Sequence, residues 1–192
     1  MTSIQFDKDG AVAIVTMAKP PHNLIDGQFM DDLLAAYRRA QQQQCRALLL
    51  RSAMRHFSAG ADTTAFTGGS GSRSDQGTLE EFWATMEDIP MPTIAAVHGA
   101  ALGGGLELAL TCDLIVAADT ASIGMAEASV GLLPLLGGVQ RVAQRVGPAR
   151  AKQMGMFARR HDPATLERWG LVNLVVAESE LATASLSWAR QL

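Results

Sequence analysis

The 192-residue chain has few cysteines and no cluster of basic residues, which disulfide-rich, zinc-binding and nucleic-acid-binding proteins require. It has only two cysteines, Cys45 and Cys112, which lie far apart without a metal-ligand neighbour, so a disulfide framework or a zinc site has little support. Its 16 Lys and Arg residues form no cluster, and its formal charge of -3 offers no electrostatic footprint for nucleic acid or an anionic membrane. A small-molecule ligand is therefore the favoured partner.

Long apolar runs and a charged-then-apolar leader are also missing from the sequence. No apolar stretch approaches the roughly 20 residues that a membrane-spanning helix needs, and the first residues alternate polar with apolar side chains. The sequence therefore predicts a cytoplasmic protein with no membrane partner. At 48% hydrophobic residues, the chain can bury one sizeable core.

Turn signals and hydrophobic periodicity predict alternating strands and helices. Residues 4–7 and 11–17 are β-prone runs around a Lys-Asp-Gly turn, which is typical of a hairpin. Asp26 can cap a helix that ends in a solvated, glutamine-rich turn. Strand-turn-helix units repeated after it imply right-handed crossovers and an α/β fold. These later elements are strands at 47–50, 93–97, 113–117 and 174–176, a turn at 98–102, a mobile loop at 68–77, and helices at 103–111, 137–146, 150–157, 163–169 and from about 179.

Three consecutive glycines, residues 103–105, stand at the start of a predicted helix. Glycine is a poor helix former, but a helix N-terminus offers unpaired N–H groups, and glycine lets a ligand atom approach them closely. The loop at 57–62 is also rich in small residues and follows a buried strand. Because an oxyanion hole needs two backbone donors, Ala61 and Gly104 are the candidates. The alternative is that the glycines only allow close packing.

Two glutamates lie in otherwise small or apolar surroundings. Glu107 is one helical turn beyond the glycines, and Glu127 follows a Gly-Met-Ala segment. Burial raises the pKa of a carboxyl group, and a pair of such groups can divide acid and base work around one substrate. The alternatives are that Glu107 caps a neighbouring element or pairs with an arginine, and that Glu127 is a hydrogen-bonded loop residue.

Three segments of the sequence, residues 56–62, 98–109 and 131–141, look like the signatures of the crotonase (enoyl-CoA hydratase/isomerase) superfamily. Their order and spacing are highly specific. The resemblance runs from about residue 4 to residue 192, and it includes a Pro-Pro-His-Asn-Leu segment at 20–24 that is similar to one lining the family's coenzyme A site.

The resemblance implies an α/β fold of the crotonase-like (ClpP/crotonase) type, a spiral of β-β-α units with two roughly perpendicular sheets. Residues 1–177 would form the spiral core, and 178–192 the first part of a truncated C-terminal helical region, because the family normally continues further. A homo-oligomer, either a trimer or a dimer of trimers, is expected. Leu135-Leu136 replace small residues of the family, and Thr64 replaces a lysine that meets a coenzyme A phosphate, for which Lys19 is a candidate substitute.

The resemblance also implies an enoyl-CoA hydratase, which adds water syn to a trans-2-enoyl-CoA and gives a 3-hydroxyacyl-CoA. The amides of Ala61 and Gly104 would hold the thioester oxygen, while Glu107 activates water and Glu127 delivers a proton. Coenzyme A is part of the substrate, so no separate cofactor and no metal are expected. The residues expected to bind the substrate are His22, Leu24, Ser58, Ala59, Asp62 and Gly103.

Two other functions stay open at the level of sequence. An enoyl-CoA isomerase would move a proton between two carbons, using mainly one glutamate. A catalytically weak homologue would bind an acyl-CoA or a protein partner without turnover. Assays of hydration and of double-bond migration separate the first alternative from the hydratase, and saturable binding without turnover would mark the second.

Overall fold

The chain begins with an antiparallel hairpin of two strands, β1 (Ile4–Asp9) and β2 (Val12–Met17). Helix α1 (Gly27–Gln42) follows, and the Asp26 carboxylate caps it by accepting a hydrogen bond of 2.9 Å from the Phe29 amide. The predicted hairpin and the predicted cap are both confirmed. The structure is a computed structural model, and it describes residues 3–62, 82–86, 88–134 and 137–192.

Strands and helices alternate through the rest of the chain, as the sequence predicts. In chain order these elements are β3 (Ala47–Ser52), a short helical stretch at 82–86, β4 (Thr93–Val97), β5 (Ala100–Leu102), α2 (Gly104–Thr111), β6 (Leu114–Ala118), β7 (Ser122–Gly124), a 3-10 turn (Glu127–Val130), α3 (Gly138–Val146), α4 (Pro148–Phe157), α5 (Pro163–Trp169), β8 (Leu174–Val176), a second 3-10 turn (Glu178–Glu180) and α6 (Leu181–Gln191). The architecture is α/β, because helices connect strands that pair in parallel.

Within the described residues, six strands form one sheet in the order β1-β2-β3-β4-β6-β8. The β1–β2 pairing is antiparallel, and the later pairings in this sheet are parallel. Parallel strands need crossover connections, and such connections often carry functional residues. A second, two-stranded parallel sheet joins β5 to β7. Helix α2 begins two residues after β5 ends, so this small sheet positions its N-terminus.

The central strands are buried on both faces, and β2 shows how the two faces are divided. Ala13 and Val15 belong to the larger apolar core, together with residues of α1 such as Leu33. Val12 and Ile14 belong to a second apolar cluster, which includes residues of α6. This alternation follows from the two-residue period of a strand. Helices α1 and α6 therefore cover opposite faces of the sheet.

The turn predicted at 98–102 is wrong in its second half, because Ala100–Leu102 is strand β5. Its residues pair in register with β7, Ala100 with Ser122 and Leu102 with Gly124. Two small alanines after a His-Gly pair carry no strong strand signal, and strand formation here depends on the partner that β7 supplies. The loop predicted at 68–77 lies outside the described residues.

In the described ranges, no helix combines the length and apolar character needed to cross a bilayer.

Both cysteines are free and buried. Burial raises the pKa of the Cys112 thiol to about 12, which keeps that sulfur protonated at any ordinary pH. The two residues pack as small apolar side chains: Cys45 lies in the main core beyond the end of α1, and Cys112 lies in the same core just after α2. Neither residue shares a disulfide bond with the other.

Candidate active site

The N-terminus of α2 lies against the loop at 58–62, and their backbones approach so closely that an added side chain would be crowded at Gly104 and would collide with the backbone at Gly60. A Cβ added to Gly104 would lie 3.3 Å from the Ala61 amide nitrogen. A Cβ added to Gly60 would lie 2.8 Å from the Leu102 carbonyl oxygen and 3.5 Å from the Gly104 nitrogen. The structure therefore brings the two predicted oxyanion-hole residues, Ala61 and Gly104, side by side.

The Ala61 amide is directed towards α2 by a single β-bridge on its other side. Ile25 pairs in parallel with Ala61: the Ile25 amide donates to the Gly60 carbonyl at 3.0 Å, and the Asp62 amide donates to the Ile25 carbonyl at 2.9 Å. Successive backbone groups of an extended chain face opposite sides. The Ala61 N–H consequently faces away from Ile25. Within the described residues, neither this N–H nor that of Gly104 donates to a protein acceptor.

Glu107 is 2% exposed and belongs to the first turn of α2. Its Oε1 atom accepts a hydrogen bond of 2.9 Å from the Gly138 amide, which stands at the N-terminus of α3. The partial positive charge of a helix N-terminus stabilises a carboxylate there. A Cβ added to Gly138 would lie 2.7 Å from the Glu107 Cγ atom, so glycine is needed for this contact. Glu107 is thus held in place by a neighbouring element.

Glu127 has a different environment, at the start of the 3-10 turn that follows β7. Both of its carboxylate oxygens are buried, and neither accepts a hydrogen bond of ordinary geometry from the described residues. Burial raises the pKa of Glu127, while the nearby amides of Glu127 itself and Ala126 lower it by a smaller amount. A Cβ added to Gly103 would lie 3.2 Å from its Oε1 atom. The carboxyl group of Glu127 therefore lies against the same N-terminus of α2.

Gly103 links these features because it precedes the helix and adopts φ of 52°, a conformation that favours glycine. Its amide donates to the Gly124 carbonyl at 3.0 Å, which fastens the end of β7 to the start of α2. Its carbonyl accepts from the Glu107 amide, also at 3.0 Å. The backbone of Gly103 thus connects the strand that leads to Glu127 with the turn that carries Glu107.

The other predicted substrate-binding residues surround the loop that carries Ala61. Ser58 is fully buried, and its hydroxyl donates to the Asn23 carbonyl at 2.8 Å. The Ala59 amide donates to the His22 carbonyl at 3.0 Å, while the His22 side chain is exposed. Leu24 and Asp62 are half-buried. The structure brings these residues together, and their contact with a substrate stays a prediction.

Lys19 is already engaged within the protein. Its Nζ atom lies 2.5 Å from the Asp26 carboxylate and donates to the Leu24 carbonyl at 3.0 Å. These contacts fix the Lys19–Asp26 segment rather than leave the ammonium group for a distant anion. The suggested role of Lys19 in place of a lysine at position 64 therefore stays a prediction, and Thr64 lies outside the described residues.

Two histidines, one in the Lys19–Asp26 segment and one just before the Ala61 loop, have neighbouring side chains. The rings of His22 and His56 are 5.3 Å apart between centroids. Burial lowers the pKa of His56, and the nearby His22 lowers it further. A neutral ring can accept a hydrogen bond, and Nδ1 of His56 accepts one from the Ala100 amide at 3.2 Å. His56 therefore connects the Ala61 loop with β5.

Asn23 and Gly138 fall in segments that resemble the family but were assigned no role from sequence, and Arg145 was not identified, although each contacts the site or its supports. The Arg145 guanidinium donates to the Leu110, Cys112 and Asp113 carbonyls, at and beyond the C-terminus of α2. A cation at that end complements the helix dipole whose positive end is at Gly104. These three partners of Arg145 lie 32 to 35 residues away in sequence, so no local pattern could have revealed them.

Two surface cavities in the described part of the chain lie away from this site. One, of about 240 Å³, is lined by residues of α1 and by residues near Asp88. The other, of about 290 Å³, is lined by Arg145 and the C-terminal end of α2, which is the end opposite Gly104. The amides of Ala61 and Gly104 and the two glutamates therefore lie outside the lining of both cavities.

The fold and this arrangement of backbone amides and glutamates suit acyl-thioester chemistry. The sequence matches the model of the enoyl-CoA hydratase/isomerase family over residues 7–192. The chain therefore belongs to the enoyl-CoA hydratase/isomerase family, and the family and the crotonase fold predicted from its sequence are confirmed.

Individual relatives agree with this assignment. The chain is 35% identical over 191 residues to a probable enoyl-CoA hydratase of Mycobacterium tuberculosis, and the match covers 97% of this chain and 74% of the relative. It is also 35% identical to a carnitinyl-CoA dehydratase of Citrobacter koseri, with 99% of this chain and 74% of the relative covered. The crystal structure of an enoyl-CoA hydratase subunit I from Geobacillus kaustophilus superposes with a TM-score of 0.92 at 34% identity, over 98% of this chain and 74% of that one.

Proposed function

We propose that the protein is an enoyl-CoA hydratase that adds water to a trans-2-enoyl-CoA. The observation that carries the proposal is the meeting of three groups at the N-terminus of α2: the amides of Ala61 and Gly104, which have no acceptor among the described residues, and the unpaired carboxyl group of Glu127. Two neighbouring amides with no protein acceptor can hold the oxygen of a thioester as it gains negative charge. A buried acid beside them can exchange a proton with the adjacent carbon.

The surroundings of the two glutamates support a division of acid and base work. The Gly138 amide and the N-terminus of α3 stabilise Glu107 as a carboxylate, which suits a base. Burial favours the neutral form of Glu127, and the nearby amides of Glu127 and Ala126 offset this effect only in part, which suits a proton donor. Two like residues in different environments can divide acid and base work around one substrate.

The proposed reaction proceeds from these assignments. Glu107 takes a proton from water as the water oxygen bonds to Cβ of the enoyl group. The π electrons move towards the thioester, and the enolate oxygen accepts hydrogen bonds from Ala61 and Gly104. Glu127 then gives its proton to Cα, and the 3-hydroxyacyl product forms. Exchange of protons with solvent returns Glu107 to the carboxylate and Glu127 to the acid. No metal or separate cofactor takes part in these steps.

The proposal is tested by following the loss of the conjugated absorbance of crotonyl-CoA, with longer trans-2-enoyl-CoA substrates measured in parallel. We expect hydration with saturation kinetics. A trans-3-enoyl-CoA substrate tests migration of the double bond in the same preparation. If migration proceeds and hydration does not, the protein is an isomerase and the hydratase proposal fails. Saturable binding with neither reaction would identify an acyl-CoA-binding homologue.

We also propose that the chain assembles as a homo-oligomer. Several large apolar side chains are exposed near the 3-10 turn of Glu127 and at the end of α4, and association would remove them from water. Light scattering on the purified protein measures the assembly directly, and a monomer at micromolar concentration would contradict it. The most exposed of these side chains are Val130, Leu133, Met156 and Phe157.

A further inference from the structure

Asn23 is fully buried although its side chain is polar, and every polar atom of that side chain has a partner. Its Oδ1 atom accepts a hydrogen bond of 2.8 Å from the Lys19 amide. Its Nδ2 atom donates to the Ser52 hydroxyl at 2.8 Å and to the Phe57 carbonyl at 2.9 Å. One carboxamide therefore connects the turn before α1, the end of β3 and the start of the loop that carries Ala61.

The backbone of Asn23 contributes further bonds to this loop. Its carbonyl accepts from the Ser58 hydroxyl at 2.8 Å, and the same hydroxyl accepts from the Gly60 amide at 3.2 Å. Asn23 adopts φ of 51°, a left-handed conformation in which asparagine is enriched among residues other than glycine. Its side chain and its backbone thus hold the loop from two directions.

The residues next to Asn23 form the template on which the Ala61 amide is oriented. The His22 carbonyl accepts from Ala59, and Ile25 exchanges two hydrogen bonds with Gly60 and Asp62. Because the Ala59 and Asp62 amides and the Gly60 carbonyl form hydrogen bonds with residues 22–25, the N–H of Ala61 faces the opposite side, towards Gly104. A shift of the 22–25 segment would therefore move the Ala61 N–H relative to the Gly104 N–H.

We propose that Asn23 is a positioning residue for the Ala61 amide, so that its buried carboxamide sets the geometry of half of the oxyanion hole. This inference rests on the proposed function, in which Ala61 and Gly104 polarise the thioester. Asn23 does not itself contact the reacting atoms. A misplacement of about 1 Å in a catalytic group can cost about a hundredfold in rate, so a loosened loop lowers turnover strongly.

The variant Asn23→Asp tests the carboxamide with little change in shape. Aspartate tolerates a positive φ and keeps the acceptor for the Lys19 amide, but it replaces the donor that faces the Phe57 carbonyl with an oxygen. We expect kcat to fall about 10- to 100-fold with KM little changed, because the substrate still binds while its thioester is less polarised in the transition state. Asn23→Gly keeps the backbone conformation and removes the whole side chain, and it should lose turnover in the same way.

Polarisation of the carbonyl can be read without turnover from the absorbance of bound cinnamoyl-CoA, a conjugated enoyl thioester. Two hydrogen bonds to its carbonyl oxygen shift the absorbance to longer wavelength. We expect a clear red shift on the wild-type protein, and a smaller shift at saturating ligand on Asn23→Asp and Asn23→Gly. A role in stability alone would leave the shift of the bound ligand unchanged.

Leu181→Ala is the matched control for a loss of stability, since it removes buried methyl groups on the opposite face of the sheet. It should keep the wild-type red shift and wild-type turnover per folded molecule. A wild-type shift and wild-type kcat in the Asn23 variants would overturn the positioning role. If neither Asn23 variant folds, Ser52→Ala, which removes one partner of the carboxamide, decides by the same two measurements. A wild-type protein that neither hydrates crotonyl-CoA nor shifts cinnamoyl-CoA would instead refute the proposed function.

Discussion

Glu107 and Glu127 are the same residue type in similar sequence surroundings, but their hydrogen bonding differs. Glu107 accepts from the Gly138 amide, whereas the buried oxygens of Glu127 accept from no described residue. A hydrogen-bond donor of good geometry stabilises the carboxylate form, whereas burial that nearby amides offset only in part favours the neutral acid. The roles proposed for the two residues follow from this difference, which the sequence could not show because Gly138 is 31 residues from Glu107.

Glu107→Gln should abolish most of the hydratase activity while the fold is retained. The glutamine carbonyl can still accept the hydrogen bond from Gly138, but it cannot take a proton from water. We expect kcat to fall roughly a hundred- to ten-thousand-fold, with the melting temperature little changed. Crotonyl-CoA hydration and thermal unfolding measure the two quantities. Glu180→Gln, on the exposed second 3-10 turn, is the control and should behave as wild type.

Glu127→Gln should lower activity and raise stability at neutral pH. The pKa of Glu127 is raised above its ordinary value of 4.5, so its ionisation at higher pH opposes folding. Glutamine stays neutral, and the stability that it adds should appear as the pH rises above 4.5 and vanish below it. Urea unfolding across this pH range measures the effect. If the difference in the free energy of unfolding between the variant and the wild type is the same at every pH, the raised pKa is contradicted.

The wild-type pH profile carries the same information about activity. Because Glu127 must hold a proton to deliver it, hydration should decline as the pH rises through its raised pKa. A glutamate with an ordinary pKa would lose its proton at a lower pH, and the decline in hydration would then begin at that lower pH.

Among the elements, those with a strong local signal were predicted, namely the capped helix α1 and the apolar strands β3, β4, β6 and β8, whereas β5 and β7 were not predicted as strands. Helix α1 was identified because Asp26 caps it and its apolar residues repeat on one face, and both features are local. Strand β5 was missed because two alanines and a leucine become a strand only when β7 pairs with them. The site shows the same contrast. The glycines before α2 indicated it from local sequence, but the roles of Asn23 and Arg145 depend on partners that are distant in sequence.

Alanine substitutions at Gly105, where α2 meets the Ala61 loop, and at Gly27, at the start of α1, should have very different effects on stability. A Cβ at Gly105 would lie 2.3 Å from the Ser58 carbonyl oxygen, a backbone atom that cannot move freely. We expect Gly105→Ala to reduce the free energy of unfolding by about 1–3 kcal/mol or more, and to reduce hydration because the loop is displaced. Gly27→Ala, at the start of α1, has no atom near the added Cβ and should be neutral or stabilising by up to about 1 kcal/mol. Urea denaturation of the two variants provides the comparison.

In the molecule as a whole, α6 closes the face of the sheet that α1 leaves uncovered. Leu181 and Ala189 of this helix are buried with residues of β2, β3 and β4. An ion pair between Arg190 and Asp9, at 2.6 Å, adds a surface contact between α6 and β1. Exposed pairs of this kind contribute little, so the apolar contacts account for most of the attachment.

Leu181→Ala should destabilise the whole molecule rather than one helix. Removing a buried leucine side chain costs about 2–5 kcal/mol, and we expect a single unfolding transition that shifts to lower urea concentration. Leu192→Ala is the control, because that side chain is 43% exposed and should change stability little. If residues 178–192 form a region separate from the spiral core, the main transition will stay in place while a smaller one shifts.

The two enclosed cysteines give the molecule a built-in reporter of its own opening. The Cys112 thiol is protonated and out of reach of solvent in the native state, so an alkylating reagent can modify it only after the surrounding core has separated. At high reagent concentration the rate of labelling becomes the rate of opening itself. Time-resolved mass spectrometry of the unaltered protein can therefore time excursions from the native state, with no engineered probe.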